Sequence, residues 1–191
     1  MRILRAGDHK RMPWKNGGGE TVEIAVSPED AGLGGFDWRV SMATVATDGP
    51  FSIFPGIDRT LAILDGNGML LDIEGRTPAL LTMADDPLAF PADIPVAARL
   101  EDGAITDLNV MTRRNGFAHT LIRLAVDGGK TVPLPSSTCL LLCHRGTLSF
   151  RRDGETGALA AGDALLINDA AGIALEIDGE AKCYLAMIAP C

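Results

Sequence analysis

The two halves of the chain repeat one another. "FDWRVSMATVATDG" (36–49) reads beside "FAHTLIRLAVDG" (117–128), and "LAILDGNGMLLDIEG" (61–75) beside "LLLCHRGTLSFRRDG" (140–154). "DDPLAFPADIPVAARLEDGAITDLNVM" (85–111) reads beside "GDALLINDAAGIALEIDGEAKCYLAMI" (162–188). Gly68 aligns with Gly146, Asp86 with Asp163, and Asp102-Gly103 with Asp178-Gly179. One such match is chance; the whole series in the same order is two copies of one unit. The reading predicts a first domain over 1–115, with an N-terminal Trp/Gly-rich loop and a pocket, and a second, mainly structural domain over 116–191. Within each copy the order is strand, turn, strand, turn, strand, Asp-led turn, strand, long hairpin, strand.

Local pattern sets the type of unit. The chain holds 22 Gly and 11 Pro, with short apolar runs between them and no sustained helical period. Dense turns between short strands are the signature of an all-β sandwich or barrel. Repeats of about 75 residues suit a small jelly roll, and each resembles a cupin, giving two tandem cupin-like barrels. Where a cupin's first motif carries a carboxylate ahead of its tight turn, this chain has Arg59 ahead of Gly66, and the preceding stretch "DGPFSIFPGID" holds no histidine. The resemblance is therefore one of architecture, and no metal or other cofactor is expected.

Composition excludes several classes. At 191 residues a folded chain buries roughly 70% of its unfolded surface and needs no staple. The net charge of −8 argues against nucleic-acid and anionic-membrane partners, which require a basic face. The N-terminus "MRILRAGDHKRMPW" lacks a signal-peptide core and no apolar run approaches membrane-spanning length, so a cytoplasmic protein is expected. Cys139 and Cys143 lie in the apolar run "TCLLLCH", as buried reduced thiols do. His9, His119 and His144 are scattered without metal-ligand spacing.

The copies differ where chemistry would sit. Residues i and i+2 share a strand face. In "ITDLNVMTRR", Asp107, Asn109 and Met111 share one; the second copy aligns Tyr184, Ala186 and Ile188 with them. In "DRTLAIL", Arg59, Leu61 and Ile63 share a face, and the second copy has Ser136 or Ser137 near the Arg59 position. Inward polar groups must be paired or must meet a ligand. Arg59 and Asp107 either close the barrel as an ion pair or form a pocket in which the Arg59 fork meets a carboxylate. Arg113 and Arg114 point to opposite faces, so at most one lines a pocket. Arg39, opposite Phe36, Trp38 and Val40, reads as a surface ion-pair residue.

The run "PWKNGGGET" (13–21) has neither phosphate-loop nor dinucleotide-loop spacing, and a strand, "TVEIAVSP", follows it rather than a helix. Glycine permits positive φ and close approach. The run suits a loop laid over the barrel mouth, with Trp14 as an apolar wall and Asn16 as donor and acceptor.

Three stretches together, "MPWKNGGGETVEIAVSP", "FDWRVSMATVATDGPFSIFPGIDRTLAILDGNGMLL" and "DLNVMTRR", resemble the HutD/Ves family over most of the first 115 residues. The resemblance implies a metal-free bicupin associated with bacterial histidine utilisation, binding an intermediate such as N-formylglutamate or urocanate and limiting flux. A second branch, Ves, is linked to cold and stress response, and no established catalysis comes with the family. Its motif positions fall here on Trp14, Asn16, Gly17, Arg59, Asp107, Asn109 and Arg113. Three functions compete: a small-carboxylate-binding regulator, a metal-independent isomerase or hydrolase with Asp107 as base and Arg59 beside it, and a protein-interaction module. Exposed sheet edges also admit a homodimer.

Overall fold

The computed structural model describes residues 1–14 and 17–191. Its strands in chain order are β1 (Arg2–Leu4), β2 (Lys10–Pro13), β3 (Gly19–Ser27), β4 (Trp38–Val45), β5 (Gly49–Pro50) and β6 (Ile57–Asp65). There follow β7 (Met69–Ile73), β8 (Ala79–Leu81), β9 (Leu88–Pro91), β10 (Val96–Leu100) and β11 (Ile105–Arg113). The remainder are β12 (Phe117–Asp127), β13 (Lys130–Leu134), β14 (Thr138–Arg152), β15 (Glu155–Leu159), β16 (Ala164–Asn168) and β17 (Ile173–Pro190). Apart from a single 3-10 turn at Ala6–Asp8, the regular structure of the described residues is strand. None of them forms a helix long and apolar enough to cross a membrane.

Two compact units divide the chain: Lys10–Ala118 with Cys191, and Met1–His9 with His119–Pro190. The unit over Lys10–Ala118 has a six-stranded sheet in the order β2-β3-β4-β11-β6-β9 and a four-stranded sheet in the order β5-β10-β7-β8. Between them an apolar cluster forms on Leu61, Ile63, Met69, Leu71, Ile73, Phe90, Val96 and Ile105. Strand β11 is central, with β4 on one side and β6 on the other, and it is buried along nearly its whole length.

The other unit is built on the order β1-β16-β14-β17-β12, with β15 added on β14 and β13 on β17. Its interior is a cluster rich in leucine and cysteine, including Cys139, Leu141, Cys143, Leu165, Cys183 and Leu185. The aligned turns at Gly146 and Asp178-Gly179 do not interrupt the chain here. β14 and β17 run on as strands of 15 and 18 residues, paired from Thr138↔Ile188 to Arg151↔Glu176. This ladder, with one register shift between Cys143 and Arg145, satisfies backbone groups that a turn would have left for water.

The register also corrects the alignment of the copies by one residue. The inward rows of β17 and β14 are Cys183–Cys143, Leu185–Leu141 and Met187–Cys139. Tyr184, Ala186 and Ile188, the residues aligned by sequence, take the opposite face, because strand period is two and a one-residue slip exchanges faces. The contrast between copies survives with the right residues. Rows that read Asp107–Ile63, Asn109–Leu61 and Met111–Arg59 in one unit read Cys–Cys, Leu–Leu and Met–Cys in the other.

Candidate functional site

The polar rows of β11 open onto a cavity of about 720 Å³ in the unit over Lys10–Ala118. Its wall includes Trp14, Arg39, Ser41, Phe51, Phe54, Arg59, Asp107, Asn109 and Met111. Strand order brings these together. Met111 faces Arg39 on β4 and Arg59 on β6, while Asn109 faces Ser41 and Leu61, and Asp107 faces Ala43 and Ile63. With adjacent strands about 4.8 Å apart, the two arginine backbones stand roughly 10 Å apart across the sheet.

Arg59 is only 5% exposed. Its guanidinium carbon lies 5.0, 5.5 and 5.9 Å from the ring centres of Phe51, Phe54 and Phe90. The ring faces replace part of the hydration that burial removes. Burial nevertheless lowers its pKa to about 10, with the Asp107 charge raising it and Arg39 lowering it further. The group stays cationic at neutral pH, and its Nε has no hydrogen-bond partner among the described residues.

Arg39 is the residue that sequence reasoning misplaced. It is 5% exposed, not at the surface, and its Nε donates to Glu23 Oε2 at 2.6 Å. Its Nη2 is buried without a hydrogen-bond partner among the described residues. A register shift in β3 between Glu23 and Ala25 accompanies this inward pairing. The available signal was Glu23, one strand away in a run otherwise apolar: a charge that needs a mate if that face is buried.

Asp107 is 1% exposed. It accepts the Asn109 side-chain N–H at 2.6 Å and the backbone N–H of Ala43. Burial raises its pKa from the usual carboxylate range to about 7, against the opposing pull of Arg59 and the two hydrogen bonds. Near neutrality this carboxyl is poised between its charged and neutral forms.

Met12, Pro13 and Trp14 also line the cavity. Trp14 backbone N–H donates to Gly19 O at 2.9 Å, and Gly17 N–H to Trp14 O at 3.0 Å. Gly17 has φ +72, the left-handed region that favours glycine. A Cβ on Gly19 would meet the Thr44 carbonyl oxygen and the Trp14 ring. The indole N–H donates to Thr21 Oγ1 at 2.8 Å, so Trp14 brings the cavity a wall, with its donor already engaged.

Of the residues expected from sequence, Trp14, Arg59, Asp107 and Asn109 line one cavity. Gly17 is exposed and shapes the loop without lining it. Asn16 lies outside the described residues. Arg113 is not part of the lining; its Nη2 donates to Phe36 O at 2.7 Å, and its Nε lies 3.5 Å from Asp37. Arg114 pairs with Asp58 and Asp93. Among the described residues no group of three His, Cys, Asp or Glu side chains is placed to hold a metal ion. The inward rows of β11 and its two neighbours carry Arg39, Arg59, Asn109 and Asp107.

The HutD family description matches residues 6–185. A Pseudomonas putida protein, the "Uncharacterized 21.2 kDa protein in hutC 3'region", is 35% identical over 98% of this chain and 97% of its own. Among solved structures, the conserved protein of unknown function PA5104 from Pseudomonas aeruginosa PAO1 superposes with a TM-score of 0.91 at 36% identity, covering 98% of each chain. HutD from Pseudomonas fluorescens SBW25, its structure described as "Formate condition", has a TM-score of 0.83 at 32% identity, covering 100% of this chain and 98% of that one. A cupin 2 conserved barrel domain protein from Leptotrichia buccalis, 12% identical with a TM-score of 0.57 over 95% of this chain and 96% of its own, shares the fold alone.

Proposed function

The chain belongs to the HutD family, and we propose that its first barrel binds a small carboxylate metabolite without turning it over. The observation that carries this reading is a pair of donors on residues of the cavity wall, Arg39 Nη2 and Arg59 Nε, that have no partner among the described residues. A buried donor left unbonded costs about 1–3 kcal/mol, more when charged. A carboxylate brings acceptor oxygens on a planar group that matches a guanidinium edge. Phe51, Phe54 and Trp14 offer an apolar wall for the rest of a small acid.

The association of the family with histidine utilisation makes intermediates of that pathway the first candidates, N-formylglutamate and urocanate among them. The protein then acts in the cytoplasm as a regulator that senses or retains an intermediate, the second unit serving as scaffold. A second reading, favoured by Asp107 being held near neutrality inside the cavity, is a metal-independent isomerase or hydrolase with Asp107 as general base.

Thermal-shift titration of wild type and Arg59→Ala against formate, N-formylglutamate, urocanate, glutamate and histidine tests the binding reading. A melting temperature raised by an acid in wild type and unmoved in the variant is the expected result. Absence of a shift with every acid overturns it. Turnover of a bound acid, followed by mass spectrometry, would replace it with the enzymatic reading.

A further inference from the structure

Each arginine of the cavity wall has an acidic counterpart. Glu23 offsets Arg39 at 2.6 Å, and ionised Asp107 offsets Arg59. A carboxylate that met the two free guanidinium donors would enter a site with no net positive charge left for it. Burying an uncompensated charge there is costly. Resolution must come from a group that can change charge, and the surroundings leave one.

The groups around Asp107 can be taken element by element. From β4 come Ala43 and, two rows along, Arg39; from β6 come Ile63 and Arg59. From β3 comes Glu23, bound to Arg39, and on β11 itself Asn109. The facing sheet contributes Ala98, and the rim contributes Asp48, which is exposed and accepts the Leu100 N–H at 2.8 Å. Among the described residues the lining contains no lysine, histidine or cysteine. Arg59 holds its charge at neutral pH, and the Glu23 carboxylate is engaged by Arg39 Nε. Asp107 is the carboxyl sealed most deeply in this wall, 1% exposed and held by hydrogen bonds from Asn109 and Ala43.

We infer that the site takes its ligand as one carboxylate together with one proton from solvent, the proton settling on Asp107. Neutral Asp107 releases Arg59 to face the incoming anion, and the cavity then holds one positive charge against one negative. Binding is thereby an acid uptake, matched to a single carboxylate inside the cavity. The burial that lifts Asp107 to about 7 means that the proton is taken up with little penalty near neutrality and at growing penalty above it. This inference rests on the carboxylate-binding reading above.

Formate is the probe, titrated by thermal shift between pH 5.5 and 8.5 and by calorimetry in phosphate and in Tris, whose ionisation enthalpies differ. The expected affinity is flat below about pH 7 and falls close to tenfold per pH unit above it, with near one proton taken up per formate at pH 8. In Asp107→Asn the pH dependence and the proton uptake disappear while formate still binds. Binding with a flat profile and no proton uptake in wild type overturns the inference and leaves the carboxylate reading standing. No binding of formate at any pH overturns the inference, and the carboxylate reading falls with it when the other acids of the panel fail as well. The wild-type profile and proton count decide the matter even if the variant does not fold.

Discussion

Asn109 donates its side-chain N–H to Asp107 at 2.6 Å, two residues along the same face of β11. Two positions that share a strand face are usually neighbours by accident of period; here one fixes the other. The amide commits one Asp107 oxygen, orients the carboxyl, and partly opposes the burial that would otherwise raise its pKa further.

That burial has a consequence for stability. The carboxyl is 3.8 in its ordinary setting and about 7 in the fold, so between these values the folded state holds a proton that the unfolded chain has lost. Stability therefore falls as pH rises from about 4 to about 7, by an amount of order 4 kcal/mol in total. Urea denaturation of wild type is expected to show a midpoint that drops between pH 5 and pH 8. The drop should be strongly reduced in Asp107→Asn.

The Glu23–Arg39 pair is buried on both sides, with side chains 11% and 6% exposed. Removing one member strands the other. Glu23→Gln and Arg39→Met should each lower stability by about 3–5 kcal/mol, and the double variant should recover part of that loss. A double-mutant cycle by chemical denaturation reads the coupling directly.

Gly19 and Gly17 separate two uses of glycine. Gly19→Ala drives a methyl into the Thr44 carbonyl and the Trp14 ring, and should cost about 2–3 kcal/mol with a change in tryptophan fluorescence. Gly17→Ala meets open space and bears only the left-handed backbone penalty, about 1–2 kcal/mol, leaving the Trp14 environment in place.

Cys139, Cys143 and Cys183 are buried, and Cys191 is exposed. Burial pushes the Cys183 thiol to about 12 and raises Cys139 and Cys143 as well. Thiolate is the reactive species. Ellman's reagent should titrate one thiol per native chain, at Cys191, and all four after denaturation.

Much of the site was legible because strand alternation is local. Arg59, Leu61 and Ile63 on one strand and Asp107, Asn109 and Met111 on another could be assigned to common faces from spacing alone. Arg39 could not. Beside Trp38 and Val40 it looks like the solvent side of a half-buried strand, and only the burial of both faces of β4 shows otherwise. The second copy misled by one residue for a related reason: sequence matching sees turn glycines, while the face of Cys183 or Tyr184 depends on pairing with β14.

By itself the sequence determined an all-β chain and the polar faces of two strands in its first half, because turn chemistry and period-two alternation act over a few residues. It also carried the family motifs. Tertiary structure decided which faces turn inward and that β11 lies between β4 and β6, setting Arg39 and Arg59 on either side of Met111. It decided too that Asp107 is sealed from water. Those are properties of long-range pairing and of solvent exclusion, and no stretch of a few residues contains them.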